Sequence, residues 1–188
     1  MKKRRYLSRL TYTQEQLLQE KQQIESARKD RRKFSVLYER YYEQVFLFIF
    51  KRAGEEDLTA DICSQVFMKA MLGLPKYTFQ GVPFSAWLYR IAINEVNQYF
   101  RQSQKQRMVS IESAGLRHLA AEVEPDAPQR DIQEVVPLLE KLSPDELQLI
   151  ELRYFEQLPF KEIAAIYNIT ENNAKVRTYR LLQKMKHA

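Results

Sequence analysis

The chain has 188 residues, enough for one or two small domains, and 45% of them are hydrophobic, enough for packed cores. Four glycines in all argue against a turn-rich all-β fold, and a net charge of +6 favours a polyanionic partner. The single Cys63 excludes an internal disulfide and a cysteine-cluster metal site, and His118 and His187 show no ligand spacing.

Residues 1–33 carry eleven Lys/Arg against four Asp/Glu, a net +7 that exceeds the charge of the whole chain. Thr13 followed by Gln16 has the form of a capping box. Leu10, Leu17 and Ile24 recur every seven residues, too few positions to establish a coiled coil. This stretch is expected to be a basic arm, a frayed helix or disordered, with at most a loose attraction to nucleic acid. No apolar core follows the basic start, so it is not a secretory signal. No apolar run approaches the roughly twenty residues of a membrane span. A soluble cytoplasmic protein is expected.

From Phe34 the pattern is helical and heavily apolar, with Leu37, Tyr38, Tyr41, Val45, Phe48 and Ile49 on a stripe that Tyr42, Phe46, Leu47 and Phe50 widen. So broad a stripe packs on more than one neighbour or keeps a surface for a partner. Gly54 suits the position that ends this helix. A second helix is expected over about 57–72, stopped by Gly73 and Pro75, with Leu58, Ile62, Val66 and Ala70 inward and Asp61, Ser64, Gln65 and Met68 outward. Cys63 reads as a small packed residue.

A turn-rich loop with two aromatics, residues 77–83, leads into the third helix of this N-terminal domain, residues 84–101. It holds the only tryptophan, Trp87. Phe84, Trp87, Leu88, Ile91, Ala92 and Tyr99 read as its core side. Arg90, Asn94, Asn97, Gln98 and Arg101 form a second stripe. A solvated face is ordinarily rich in Glu and Lys, whereas amides and guanidiniums are the groups that pair with base edges. The plainer reading is a bundle helix with a neutral polar face.

Residues 108–130 read as an acidic linker broken by Pro125 and Pro128, with a helical turn or two around Leu116 to Ala121. The C-terminal domain, residues 131–188, opens on a helix carrying Val135, Val136, Leu139 and Leu142, with Pro137 as a kink or late start. Ser143-Pro144-Asp145-Glu146 is a strong start signal, with Ser as cap, Pro at the first helical position and Glu closing the box. A short helix over 159–167 follows. Asn168 makes a left-handed turn, and Thr170 caps a last helix packed through Ala174, Thr178, Leu181, Leu182 and Met185. That order is a helix-turn-helix. Its last helix turns Asn172, Asn173, Lys175, Val176, Arg177, Tyr179 and Arg180 outward, and residues 171–188 carry five Lys/Arg against one Asp/Glu. In such motifs the second helix enters the major groove, where Arg177 and Arg180 suit guanine or phosphate and the asparagines suit adenine.

The fold class is therefore all-α, two small helical domains joined by a flexible acidic linker. No carboxylate cluster, nucleophile–base pair or phosphate loop is visible, so no enzyme, metal site or cofactor is expected.

The two halves together resemble the extracytoplasmic-function sigma factors of bacterial RNA polymerase, over residues 34–186. Asp61-Ile-Cys-Ser-Gln-Val-Phe67 resembles the family's polymerase-binding helix. Phe84-x-x-Trp-Leu-x-x-Ile-Ala-x-Asn94 with Arg101 resembles its promoter-melting segment. Glu162-Ile-Ala164 with Lys175-x-Arg177-x-x-Arg180 resembles its second DNA-binding domain. Four positions depart from the usual pattern: Ser64-Gln65, where Gln-Glu is common, Gln98, where an acid is common, and Asn168, where a glycine is common. The resemblance implies a non-catalytic subunit that binds core polymerase through Asp61, Gln65 and Phe67. It would open the −10 promoter element with the 77–83 loop, Trp87, Arg90, Asn94, Asn97, Gln98 and Arg101. It would hold the −35 element with Asn172, Asn173, Lys175, Arg177 and Arg180. An anti-sigma protein is a further partner that the resemblance implies, although no residue here identifies one. The rival is a helix-turn-helix regulator that is not a polymerase subunit. It leaves the amide stripe unexplained.

Overall fold

The structure, a computed structural model, describes residues 12–103, 113–123 and 132–187. Residues 1–11 of the expected arm, 104–107 at the end of the expected N-terminal domain (34–107), 108–112 and 124–130 of the expected linker, and residues 131 and 188 lie outside the described residues. The described residues form helices, turns and loops only.

Helix α1, Gln14–Lys29, starts on the expected capping box: the Thr13 hydroxyl accepts the Gln16 N–H and the Gln16 side chain accepts the Thr13 N–H. The expectation of a frayed or disordered arm fails for this helix, which belongs to the N-terminal core. Glu20, Ile24 and Ala27 are buried, and their spacing of four and three places them on one face. The buried Glu20 carboxylate ties three helices together. It accepts the hydroxyl of Tyr41 and, at 2.8 Å, the N–H of Phe84, and lies 3.5 Å from Arg40. Burial pushes the Glu20 carboxyl up from its ordinary value, and the same surroundings push the Tyr41 hydroxyl up. An acid at an inward position hid this face from the apolar pattern.

A short turn, Arg31–Phe34, leads to α2, Ser35–Ala53, which ends on Gly54 in the left-handed region at φ 76°. Helix α3, Glu56–Gly73, and a short turn, Leu74–Lys76, precede the 77–83 loop and α4, Phe84–Ser103. Leu37, Tyr41, Val45, Phe48 and Ile49 of α2 meet Ile62, Cys63, Val66 and Ala70 of α3 around Phe84, Leu88 and Ala92 of α4. Burial pushes the Cys63 thiol up to about 11, so it packs as an unreactive small residue. Helix α4 is enclosed on more sides than its stripe predicts. Tyr89, Ile93, Glu95 and Val96 are buried, whereas Trp87, Ile91 and Tyr99 are only half-buried. The reason is position, since α4 packs against α2, α3 and a helix of the C-terminal half. Glu95 is buried beside Lys69, whose ammonium lies 2.6 Å from both carboxylate oxygens.

Helix α5, Ser113–Val123, falls inside the stretch expected to be linker. It packs on the C-terminal bundle through Leu116, Leu119 and Val123, and Glu122 accepts the Tyr154 hydroxyl at 3.0 Å. Helix α6, Ile132–Glu140, carries Pro137 within it, and α7, Pro144–Ile150, starts on the complete Ser143–Glu146 box. A π turn, Glu151–Phe155, extends α7. Helix α8, Phe160–Tyr167, ends on Asn168 in the left-handed region, and Thr170 caps α9, Glu171–Lys186. All five residues expected on the inner side of α9 are buried. The two halves touch where α8 packs across α4 and where α2 meets the π turn.

Candidate nucleic-acid interface

Arg90, Asn94, Asn97, Gln98 and Arg101 are all exposed, one row along α4. The opposite sides of the helix are fixed in the core, so the row cannot rotate inward without unburying Leu88, Ala92 and Val96. At its N-terminal end the row runs into a cleft of about 400 Å³ lined by Lys76, Tyr77, Gln80, Trp87, Arg90 and Ala165 among others.

The cleft has an aromatic floor. Trp87 lies 4.7 Å from Tyr77 and 5.3 Å from Phe84, centroid to centroid. Gly73 makes room for it, since a Cβ there would stand 3.3 Å from the indole ring. Gly81, at φ 68°, turns the loop that carries Thr78 and Gln80 to the surface. Burial pushes the Tyr77 hydroxyl up, in keeping with its place beneath the loop. An aromatic floor with amides and cations at its rim can stack an unpaired base and hydrogen-bond its edge.

On α9, Asn172, Asn173, Lys175, Arg177 and Arg180 are exposed, with Val176 and Tyr179 among them. The Asn173 side chain accepts the Arg177 Nε–H at 2.9 Å, and its own backbone N–H is held by the Thr170 cap. Lys175 pairs with Glu171 one turn earlier at 2.8 Å.

The third group divides. Asp61 and Gln65 are exposed on α3, whereas Phe67 is buried beneath Tyr38 and Tyr42, 4.8 and 6.2 Å away. Tyr38, Tyr42, Phe46 and Phe50 line one side of α2, one ring per turn. With Leu47, Met68 and Leu72 exposed nearby, α2 and α3 present an apolar face that no neighbour covers among the described residues. Gln80 comes from the loop that the sequence points to, whereas Lys76 and Ala165, which also line the cleft, were missed and carry no periodic signal. Sequence reasoning also missed Arg52 and Glu151, which are buried as a pair. A charge at an inward position, Arg52 after Val45, Phe48 and Ile49, was the available sign.

The family models for Sigma-70 region 2 and Sigma-70 region 4 match residues 37–106 and 132–185. The ECF RNA polymerase sigma factor SigM of Bacillus subtilis is 28% identical over 151 residues, covering 80% of this chain and 91% of that protein. BldN of Streptomyces coelicolor is 28% identical over 158 residues, 81% of this chain but 58% of the longer relative. The solved structure of CnrH in complex with the cytosolic domain of CnrY shares the fold, with a TM-score of 0.56 at 21% identity over 89% of this chain and 95% of that one. This chain belongs to the extracytoplasmic-function group of the sigma-70 family, as both halves match in family order. No helix among the described residues is long and apolar enough to cross a membrane.

Proposed function

We propose that the chain binds core RNA polymerase, directs it to selected promoters and opens the −10 element with the row on α4. The observation that carries this reading is the continuity of Arg90, Asn94, Asn97 and Gln98 with the Trp87 cleft. A duplex reader has no use for an aromatic-floored cleft, whereas a base turned out of the stack needs one. Asn94 meets the displaced strand, Trp87 stacks on the base with Tyr77 packed behind it, and Arg101 holds phosphate. Helix α9 lies in the major groove of the −35 element, with Arg177 and Arg180 on bases or phosphates. Asp61 and Gln65 contact polymerase directly, and Phe67 acts from below by bracing Tyr38 and Tyr42. The family likeness adds an anti-sigma protein as a further partner. A subunit that works on DNA in this way acts in the cytoplasm and has no catalytic activity of its own.

Run-off transcription with purified core enzyme on genomic DNA tests the reading. The protein should give core enzyme new promoter-dependent transcripts. Their absence on every template, together with failure to co-purify with core enzyme, sinks it.

A further inference from the structure

Arg52, at the end of α2, is buried between two carboxylates of the C-terminal half. Its Nη2 lies 3.0 Å from Glu151 and its Nη1 3.6 Å from Glu156, and Lys51 lies 3.5 Å from Glu156. The guanidinium also rests 3.6 Å from the Phe48 ring centroid and donates to the Phe48 carbonyl at 2.7 Å. Among the described residues its Nε–H finds no partner.

The π turn builds the acidic half of this cluster. Residues five apart on an α-helix point about 140° apart. Here the Glu156 N–H bonds to the Glu151 carbonyl at 2.8 Å, and the wider turn brings both side chains to one side. Gln157 then takes φ 53°, a conformation that non-glycine residues seldom adopt. The chain thus uses two uncommon backbone features where it meets Arg52. A buried ion pair adds little net stability, because desolvation offsets attraction, but it is costly to leave half-made. Such a cluster selects one arrangement of the halves rather than strengthening either.

The selected arrangement sets the C-terminal half against the cleft at the N-terminal end of the −10 row, while Asn94, Asn97 and Gln98 stay exposed. Helix α8 packs across α4, and Ala165 walls the cleft that Trp87 and Arg90 line. Lys161 reaches over the loop, its Nζ 3.6 Å from where a Cβ on Gly81 would stand. Meanwhile Asp61 and Gln65 of α3 and the reading face of α9 stay exposed.

We propose that Lys51 and Arg52 with Glu151 and Glu156 form a latch that holds the helix-turn-helix over the −10 cleft, so that the free chain is closed to the displaced strand until its halves separate. The consequence for strand binding rests on the function proposed above, whereas the latch itself does not. A closed form favoured about ten to one would weaken strand binding about tenfold, since apparent affinity falls with the competent fraction.

The full-length Glu151→Gln/Glu156→Gln variant tests this against wild type. Trp87, the only tryptophan, reports on the cleft. The variant should show a red-shifted tryptophan emission, a larger radius of gyration by solution scattering and about tenfold tighter binding of a labelled random-sequence 12-nucleotide single strand. Ala165→Glu, which crowds α8 away from α4 without touching the ion cluster, should act in the same direction, with helicity by circular dichroism confirming that each variant folds. Unchanged emission and unchanged radius in both folded variants overturn the latch. A larger radius and shifted emission with no strand binding in any variant uphold the latch and count against the −10 assignment.

Discussion

Asn94 stands exposed on α4, one turn after Arg90 and one turn before Asn97 and Gln98. An exposed amide contributes little to burial, so its replacement by Ala should change stability by no more than about 0.5 kcal/mol. The same replacement removes a donor and an acceptor that one base edge can use together. Asn94→Ala should therefore keep its melting temperature and polymerase binding and lose promoter opening, read as permanganate reactivity of unpaired thymines. A sharp fall in melting temperature with normal opening would make Asn94 a structural residue. Glu20 is the opposite case, buried and structural. Burial raises its pKa above the ordinary 4.5, and the Tyr41 hydroxyl, the Phe84 N–H and Arg40 only partly counter it. The folded state then holds this proton more tightly than the unfolded chain does. This group's contribution to stability is fully present below 4.5 and declines as pH rises through the raised value. Glu20→Gln keeps an acceptor and does not titrate. The melting temperature of the variant, relative to wild type, should rise between pH 4.5 and neutrality, and a flat difference across that range refutes the assignment.

At the scale of elements, α9 joins two tasks on one helix. Ala174, Thr178, Leu181, Leu182 and Met185 anchor it, and the side proposed to read DNA is exposed. Arg177→Ala should cost about 1–3 kcal/mol in upstream-element binding and relax one base position, if it contacts a base edge, whereas loss of a phosphate contact by Arg180→Ala should weaken all sequences alike. The Asn173 side chain already accepts the Arg177 Nε–H, which leaves the fork of Arg177 for DNA and leaves Asn173 as its positioner. Asn173→Ala and Arg177→Ala should then relax the same base position and combine less than additively. A footprint and base preference untouched by both would show that α9 is not the reader. Legibility varied by element for a physical reason. Helices α7 to α9 carry their caps and turn residues in the sequence, so Ser143, Asn168 and Thr170 marked their ends. Helix α1 has an equally clear cap at Thr13, but its inward face is one acid and two small or branched residues, Glu20, Ile24 and Ala27, a pattern too weak to read as core.

The whole molecule holds two readers on one chain. Each needs only modest affinity, because tethering raises the local concentration of the second once the first is bound. A protease site placed within residues 104–112 lets the covalent tether between the readers be cut. Cleavage should lower transcription from a promoter that needs both elements by about 10²–10⁴-fold at dilute protein, measured by run-off before and after proteolysis. Equal transcription after complete cleavage would show that the halves do not act as one tethered unit.

Local signals in the sequence sufficed for helices α2 to α4, the helix-turn-helix and the amide row, because caps, turns and 3.6-residue periodicity are properties of neighbouring residues. The family resemblance rested on three such local segments, 61–67, 84–101 and the helix-turn-helix. What only the tertiary structure decided depends on residues far apart in the chain. The Trp87 cleft is walled in part by Ala165, Glu20 is bound by Tyr41 and the Phe84 N–H, and Arg52 is met by Glu151 and Glu156. A buried charge has no periodic signature of its own. It breaks the apolar pattern that marks a core, and its partner, 64 residues away for Glu20 and Phe84 and 99 for Arg52 and Glu151, is named only when the chain has folded.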